Sequence, residues 1–208
     1  IFGGIWFGYL LVSGIRWRHL FIATVFGILG LTLLWNFGLR DYQKERIIGL
    51  FQPERDPLGV NYSVIQAKIA IGSGGLWGRG LGDGSQSQLR FLPESQTDFV
   101  FAVIAEELGF IGVCLLFLAF IVVFWRMITI ARRAHDTFGA YICIGACSVI
   151  LTEVMVHVGA NVSLMPATGV ALPFVSYGGS SLILSFVFFG MVQSVAVRLH
   201  PADHVERL

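Results

Sequence analysis

Residues 99–125 read FVFAVIAEELGFIGVCLLFLAFIVVFW, and this stretch decides the fold class of the chain. A helix needs roughly 20 apolar residues to cross the ~30 Å hydrocarbon core of a bilayer, and this run exceeds that length. Its two charged residues, Glu106 and Glu107, lie together in its first third. The stretch therefore predicts a membrane-spanning helix.

Similar apolar runs on both sides of this stretch predict further spans at about residues 20–39, 139–164 and 175–197. Residues 1–14 are also apolar but too short, so we expect them to be the truncated end of a fifth span. The chain then forms, from residue 1 to 208, the C-terminal part of one integral membrane domain. We predict an all-α polytopic membrane protein, a helical bundle with a long extracellular loop at residues 40–97.

The composition agrees with a membrane protein. Of the 208 residues 55% are hydrophobic and 13% are charged, whereas soluble domains carry about 25% charged residues. The formal net charge of +1 gives no basic character that would indicate nucleic acid as a partner.

The basic residues of the short loops predict the orientation, because such loops tend to stay in the cytoplasm. If each span crosses once, three basic segments fall on one side and the 40–97 loop falls outside, with a cytoplasmic C-terminus. These segments contain Arg16 and Arg18, then Arg126, Arg132 and Arg133, and finally Arg198 and Arg207.

The long loop contains two distinctive segments. Residues 61–71 (NYSVIQAKIAI) are apolar with interspersed polar residues, which predicts an amphipathic helix at the membrane interface. Residues 72–84 (GSGGLWGRGLGDG) resemble a phosphate cradle only weakly, because they lack the Lys-Ser or Lys-Thr ending. Their glycines are equally explained by tight turns. Loops of this length are usually functional.

Several polar residues lie at or within the predicted spans. Asp98 immediately precedes an apolar helix, and from pattern alone we favour a helix N-cap over a chemical role. Glu153, His157 and Asn161 recur every four residues, so they share one helix face. Ionisable groups at membrane depth usually face the bundle interior or a water-filled cavity. A polar path and a hydrogen-bonded structural ladder are equally open interpretations.

Three extended motifs, in order, resemble the SEDS family of shape, elongation, division and sporulation proteins. They are residues 40–80 (RDYQKERIIGLFQPERDPLGVNYSVIQAKIAIGSGGLWGRG), 84–112 (GSQSQLRFLPESQTDFVFAVIAEELGFIG) and 165–183 (MPATGVALPFVSYGGSSLI). The wording QSQLRFLPE at residues 86–94, with Phe91 before Leu-Pro-Glu, is closer to the RodA-like elongation members than to the FtsW-like division members. Family members have about ten spans, so the resemblance implies that this chain holds roughly the second half.

The resemblance implies a peptidoglycan glycosyltransferase of the bacterial cytoplasmic (inner) membrane. Such enzymes polymerise lipid II, joining the 4-hydroxyl of one lipid-linked disaccharide to the anomeric carbon of another on the lipid-linked glycan strand. The donor is α-linked and the product is β-linked, which requires one inverting displacement. The Asp of the family's Thr-Asp-Phe motif is the residue considered essential, and here it is Asp98. A carboxylate there would act as the general base for the attacking hydroxyl.

The leaving diphosphate needs its charge neutralised. Lys68, Arg79 and Arg90 are the candidate cations of the loop, although each is also explained as an ordinary loop charge. A divalent cation, Mg²⁺ or Mn²⁺, is an alternative source of charge, and no metal-ligand pattern stands out. The motif at residues 165–183 resembles the C-terminal signature of the family. The remaining candidate substrate-binding residues are Glu94 in the loop and, in this signature, Ser176, Tyr177, Gly178, Gly179 and Ser180. The signature would form a wall of the substrate cavity or simply start a helix.

The resemblance also implies a partner, a class B penicillin-binding protein whose transpeptidase crosslinks the new strands. The main alternative function is a lipid II flippase, which Glu153 and His157 within a span would suit. A division-type polymerase and a scaffold without chemistry are further alternatives.

Overall fold

The computed structural model describes residues 3, 17–38, 40, 43–44, 48–49, 62–84, 95–134 and 136–199. These residues form helices joined by turns, and none of them lies in a strand. The all-helical fold class is therefore confirmed. The helices whose bounds the structure describes are α1 (Trp17–Leu33, continued by a π-helical turn at Leu34–Gly38), α2 (Tyr62–Ser73), α3 (Val100–Arg133), α4 (Thr137–Asn161) and α5 (Gly179–Arg198).

Helices α3, α4 and α5 are long and apolar enough to cross a membrane, which is expected because an α-helix rises 1.5 Å per residue. They overlap the spans predicted at 99–125, 139–164 and 175–197. The 1–14 segment lies outside the described residues apart from Gly3. The side of the membrane on which the long loop lies stays a prediction.

A shared core joins these three helices. Met127 of α3, Ile150 of α4 and Val192 of α5 are at most 1% exposed and belong to one cluster. Chain order makes neighbouring helices antiparallel, since α4 begins a few residues after α3 ends. A methyl group added at Gly139 would come within 3.2 Å of Val195, so the start of α4 lies against the end of α5. The 161–179 connection consequently lies at the opposite end, where α3 begins.

The segment predicted as an amphipathic helix is helical as α2. Its fully buried Ala67 and Ala70 pack against Phe99 and Ala102 at the start of α3. Small side chains at these positions let the two helices approach closely. The long loop is thus anchored directly beside Asp98, although its placement at the membrane interface stays a prediction.

Helix α3 is broken at Gly109, whose φ of 67° and ψ of −166° are not helical. The glycine-rich segment, residues 72–84, lies against this break. The amide of Phe110 donates to the carbonyl of Gly75 over 2.9 Å, and the amide of Arg79 donates to the carbonyl of Glu106 over 3.0 Å. Added methyl groups at Gly74 and Gly78 would strike the carbonyl oxygens of Ala105 and Glu107 respectively. These glycines serve backbone-to-backbone contact, so the structure favours the structural interpretation over a phosphate cradle.

Candidate functional site

Asp98 lines a pocket at the end of the bundle where α3 begins. The pocket has room for about one water molecule, about 10 Å³, within about 220 Å³ of empty space that includes the solvent at its mouth. A methyl group added at Gly169, whose φ is 69°, would lie 3.5 Å from Oδ2 of Asp98, so the backbone there passes close to the carboxylate. The other lining residues come from α4 and from the connection to α5: Phe99, Val156, His157, Ala160, Ala167, Thr168 and Val170.

The prediction that Asp98 is the helix N-cap is wrong. The N-cap position of α3 is Phe99, and no side chain makes a capping hydrogen bond there. The physical reason is that residues 95–98 form a turn and the helix starts one position later than the apolar pattern indicates. The carboxylate of Asp98 therefore faces the pocket rather than the helix amides.

Asn161 holds the backbone of Asp98 in place. Its side chain is fully buried. Its Nδ2 donates to the carbonyl of Asp98 over 3.1 Å and to that of His157 over 2.8 Å, while its Oδ1 accepts from the amide of Ala102 over 3.2 Å. For Asn161 the structural ladder is the better of the two interpretations, because the end of α4 is tied to the start of α3.

The C-terminal signature holds the turn before Asp98 from the other side. Ser176 is 5% exposed, and its hydroxyl donates to the carbonyl of Thr97 and accepts from the amide of Leu172, each over 2.8 Å. The amide of Tyr177 donates to the carbonyl of Gln96 over 2.9 Å. The signature and the Thr-Asp-Phe motif, far apart in sequence, are thus packed together.

The other predicted signature residues lie at the edge of this contact. The side chain of Tyr177 is exposed, Gly178 is the N-cap residue of α5, and Gly179 and Ser180 are exposed in the first turn. None of these side chains lines the Asp98 pocket among the residues that the structure describes. They are neighbours of the pocket rather than parts of its wall.

His157 is the second ionisable residue that lines the pocket. Its side chain is 1% exposed, and its Nδ1 lies 2.8 Å from the carbonyl oxygen of Val170. Its Nε2 is buried with no hydrogen-bond partner among the described residues. Glu153, one turn earlier, is half-buried and does not line the pocket. The regular spacing predicted the shared helix face, but the three residues have different surroundings.

Of the predicted loop cations, the two that the structure describes do not line the pocket. Lys68 is exposed on α2, and Arg79 is exposed with its Nε donating to the carbonyl of Ser73 over 3.3 Å. The predicted Arg90 and Glu94 lie outside the described residues. Within the described part of the chain, no group of three His, Cys, Asp or Glu residues is placed to hold a metal ion.

Sequence reasoning offered the C-terminal signature as a cavity wall or a helix start, but it did not single out residues 167–170, which line the pocket together with α4. A signal was available, since residue 169 of the C-terminal signature is a glycine, and the structure shows that it adopts a positive φ. Glycine at such a position often marks close approach of the backbone to another group. That group is here the Asp98 carboxylate.

The fold and the pocket define a polytopic α-helical membrane protein with a carboxylate site at one end of its bundle. Residues 1–200 match the model of the cell cycle protein family named for FtsW, RodA and SpoVE. The chain belongs to this family.

Curated relatives agree with that assignment. The chain is 47% identical over 186 residues to "Peptidoglycan glycosyltransferase MrdB" of Escherichia coli (strain K12), covering 89% of this chain and 50% of the relative. It is 42% identical over 187 residues to "Stage V sporulation protein E" of Bacillus subtilis (strain 168), covering 90% and 50%. It is 36% identical over 200 residues to "Probable peptidoglycan glycosyltransferase FtsW" of Geobacter metallireducens, covering 95% and 52%.

A solved structure is also similar, with a TM-score of 0.70 and 30% identity over 93% of this chain and 53% of that chain. It is described as "Structural coordination of polymerization and crosslinking by a peptidoglycan synthase complex". The chain thus spans about half the length of the relatives it matches.

Proposed function

We propose that this chain is the C-terminal part of a peptidoglycan glycosyltransferase that polymerises lipid II into glycan strands during cell elongation. The observation that carries the proposal is the Asp98 carboxylate, which faces a pocket while its backbone is fixed by Asn161. The relatives named as peptidoglycan glycosyltransferases support the reaction class. The elongation type is supported by Phe91 and by the 47% identity to MrdB (RodA), against 42% both to Stage V sporulation protein E and to the FtsW relative of Trichlorobacter lovleyi.

In the proposed mechanism Asp98 is the general base. The 4-hydroxyl of the acceptor sugar gives its proton to the carboxylate while its oxygen attacks the anomeric carbon of the donor. The bond from that carbon to the diphosphate oxygen breaks with its electron pair, and the lipid diphosphate leaves as an anion. One displacement inverts the α-linkage to β. A positioned base typically contributes about 10²–10⁴-fold to such a step.

Binding of the diphosphate is assigned to cations of the long loop. Lys68, Arg79 and Arg90 are proposed to neutralise its charge, and a bound Mg²⁺ or Mn²⁺ ion is the alternative. Because Lys68 and Arg79 lie outside the pocket lining, the diphosphate would bind beside the pocket, and the acceptor sugar would lie at its mouth with its reacting edge turned inward. Glu94 and the exposed start of α5, from Tyr177 to Ser180, are proposed to contact the same lipid-linked substrate.

The proposed setting is the bacterial cytoplasmic membrane, with the Asp98 end outside and the C-terminus in the cytoplasm. A class B penicillin-binding protein is the proposed partner. The similarity to a chain of a peptidoglycan synthase complex that joins polymerization to crosslinking supports such a partner.

The test is polymerisation by the purified full-length protein supplied with lipid II. We expect glycan strands from the wild type and a loss of about 10²-fold or more in rate for Asp98→Asn, because the amide cannot accept the proton. Asp83→Asn is the matched control, since Asp83 is an exposed carboxylate in the same loop. Equal polymerisation by the Asp98→Asn variant would remove Asp98 as the base, and a flippase would make no strands even as the wild type.

A further inference from the structure

The orientation of the His157 ring determines what its buried nitrogen offers. A backbone carbonyl only accepts hydrogen bonds, so the contact from Nδ1 to Val170 requires the proton on Nδ1. The neutral imidazole then carries its lone pair on Nε2. That atom is buried, has no partner among the described residues, and belongs to a residue lining the Asp98 pocket.

A buried acceptor without a donor is unusual, because leaving it unsatisfied costs about 1–3 kcal/mol. Such a group requires an explanation, and a role in binding or catalysis is one of them. The described lining of the pocket contains His157 and Asp98 as its ionisable side chains. Both are acceptors in these protonation states, the carboxylate entirely and the imidazole through Nε2. Two acceptors sharing one pocket are complementary to a ligand that carries two neighbouring donors.

We propose that His157 is a substrate-positioning residue that accepts a hydrogen bond from a vicinal diol of the acceptor sugar. The proposal rests on the glycosyltransferase function proposed above. The 4-hydroxyl that attacks donates to Asp98, and the adjacent 3-hydroxyl donates to Nε2 of His157. Hydroxyls on neighbouring ring carbons lie side by side, so one edge of the sugar can donate hydrogen bonds to both acceptors of the pocket. This contact orients the attacking oxygen.

Two amide substitutions separate this role from a structural one. The side-chain nitrogen of Asn lies near the position of Nδ1, so His157→Asn keeps a donor for Val170 and removes the acceptor at Nε2. Gln reaches the position of Nε2, so His157→Gln keeps an acceptor in the pocket and gives up the bond to Val170. We expect His157→Asn to lower kcat/KM about 5- to 100-fold, whereas His157→Gln retains more activity. If His157 served only to hold Val170 in place, His157→Gln would instead lose more activity than His157→Asn.

Acceptor analogues provide a measurement that needs no variant. With the wild type, an acceptor lacking the 3-hydroxyl should react about 5- to 100-fold less efficiently, because Nε2 is left unpaired. An acceptor lacking the 6-hydroxyl is the matched control and should react nearly normally. With His157→Asn, removal of the 3-hydroxyl should cause little further loss, since the contact is already absent.

The outcomes distinguish the two proposals. If the wild type makes no strands from lipid II, the glycosyltransferase proposal fails. If the wild type makes strands but accepts the 3-deoxy analogue as readily as the natural acceptor, only the role of His157 fails. Additive losses from the substitution and the missing hydroxyl would likewise overturn it. The thermal unfolding midpoint of each variant shows whether a loss reflects misfolding.

Discussion

At the scale of single residues, the hydrogen bonds of the described residues hold the proposed base through its backbone. The carbonyl of Asp98 accepts from Asn161, and the carbonyl of the preceding Thr97 accepts from Ser176. These two donors come from opposite ends of the α4–α5 connection. The carboxylate is consequently positioned without being consumed by a capping hydrogen bond, which suits a group that must accept a proton.

Ser176 and Ser180 were both candidate substrate-binding residues, and the structure predicts opposite behaviour for them. Ser176→Ala should lower the free energy of unfolding by about 1–3 kcal/mol, because the buried amide of Leu172 loses its partner. It should also slow polymerisation, since the turn before Asp98 loses an anchor. The measurement is thermal unfolding in detergent, together with strand synthesis.

Ser180→Ala is the matched control for this substitution. Ser180 is exposed in the first turn of α5, so its removal should change the free energy of unfolding by less than about 0.5 kcal/mol. Any effect of Ser180→Ala on strand synthesis would then report substrate contact. Equal destabilisation by the two substitutions would contradict the anchoring role of Ser176.

Residue spacing predicted part of the site and no more. The four-residue interval correctly placed His157 and Asn161 on one face of α4, where both are buried. It could not show that the side chain of Asn161 makes three hydrogen bonds while Nε2 of His157 has no partner among the residues that the structure describes. That difference depends on α3 and on Val170, which approach α4 only in the folded bundle. Local sequence does not encode such a long-range contact.

At the scale of elements, the break in α3 is set by a different segment of the chain. A Gly within a long apolar run is compatible with an unbroken helix, so residues 99–125 predicted a span but not its interruption. The amides of Arg79, Gly80, Phe110 and Ile111 find carbonyl partners across the break. Non-helical backbone at membrane depth is tolerated where it is covered by protein. The glycine-rich segment supplies that cover.

The break makes Gly109→Ala a severe substitution. A methyl group there would strike the amide of Gly78, and the φ of 67° is strained for any residue with a Cβ atom. We expect a loss of more than about 2 kcal/mol in the free energy of unfolding, the sum of strain and displacement of the glycine-rich segment. Thermal unfolding in detergent measures this loss.

Gly190→Ala is the control for the break. Gly190 lies within the regular helix α5, and an added methyl group there meets nothing within 4 Å. Alanine has the higher helix propensity, so this substitution should be neutral or stabilising by up to about 1 kcal/mol. If Gly109→Ala and Gly190→Ala had the same unfolding midpoint, the backbone contacts between the glycine-rich segment and α3 would contribute nothing to stability.

At the scale of the whole molecule, the antiparallel helices separate two chemically different ends. Arg132, Arg133 and Arg198 lie in the last turns of α3 and α5, at one end of the bundle. The Asp98 pocket and the C-terminal signature lie at the other. The basic loops of the sequence predicted this separation, because each span crosses the membrane once and successive loops therefore lie at alternate ends of the bundle. It could not predict how the connection folds back over Asp98.

This separation predicts which positions an impermeant reagent reaches. Basic segments tend to stay in the cytoplasm, so the Asp98 end should face outward, where exported lipid-linked precursor is accessible. In a full-length protein with Cys114, Cys143 and Cys147 replaced by Ala, we expect Tyr177→Cys to react with a membrane-impermeant maleimide on intact cells. Arg133→Cys should react only after permeabilisation. Both side chains are exposed, so burial does not explain a difference. The reverse pattern would place Asp98 in the cytoplasm and exclude it as the base for an extracellular polymerase.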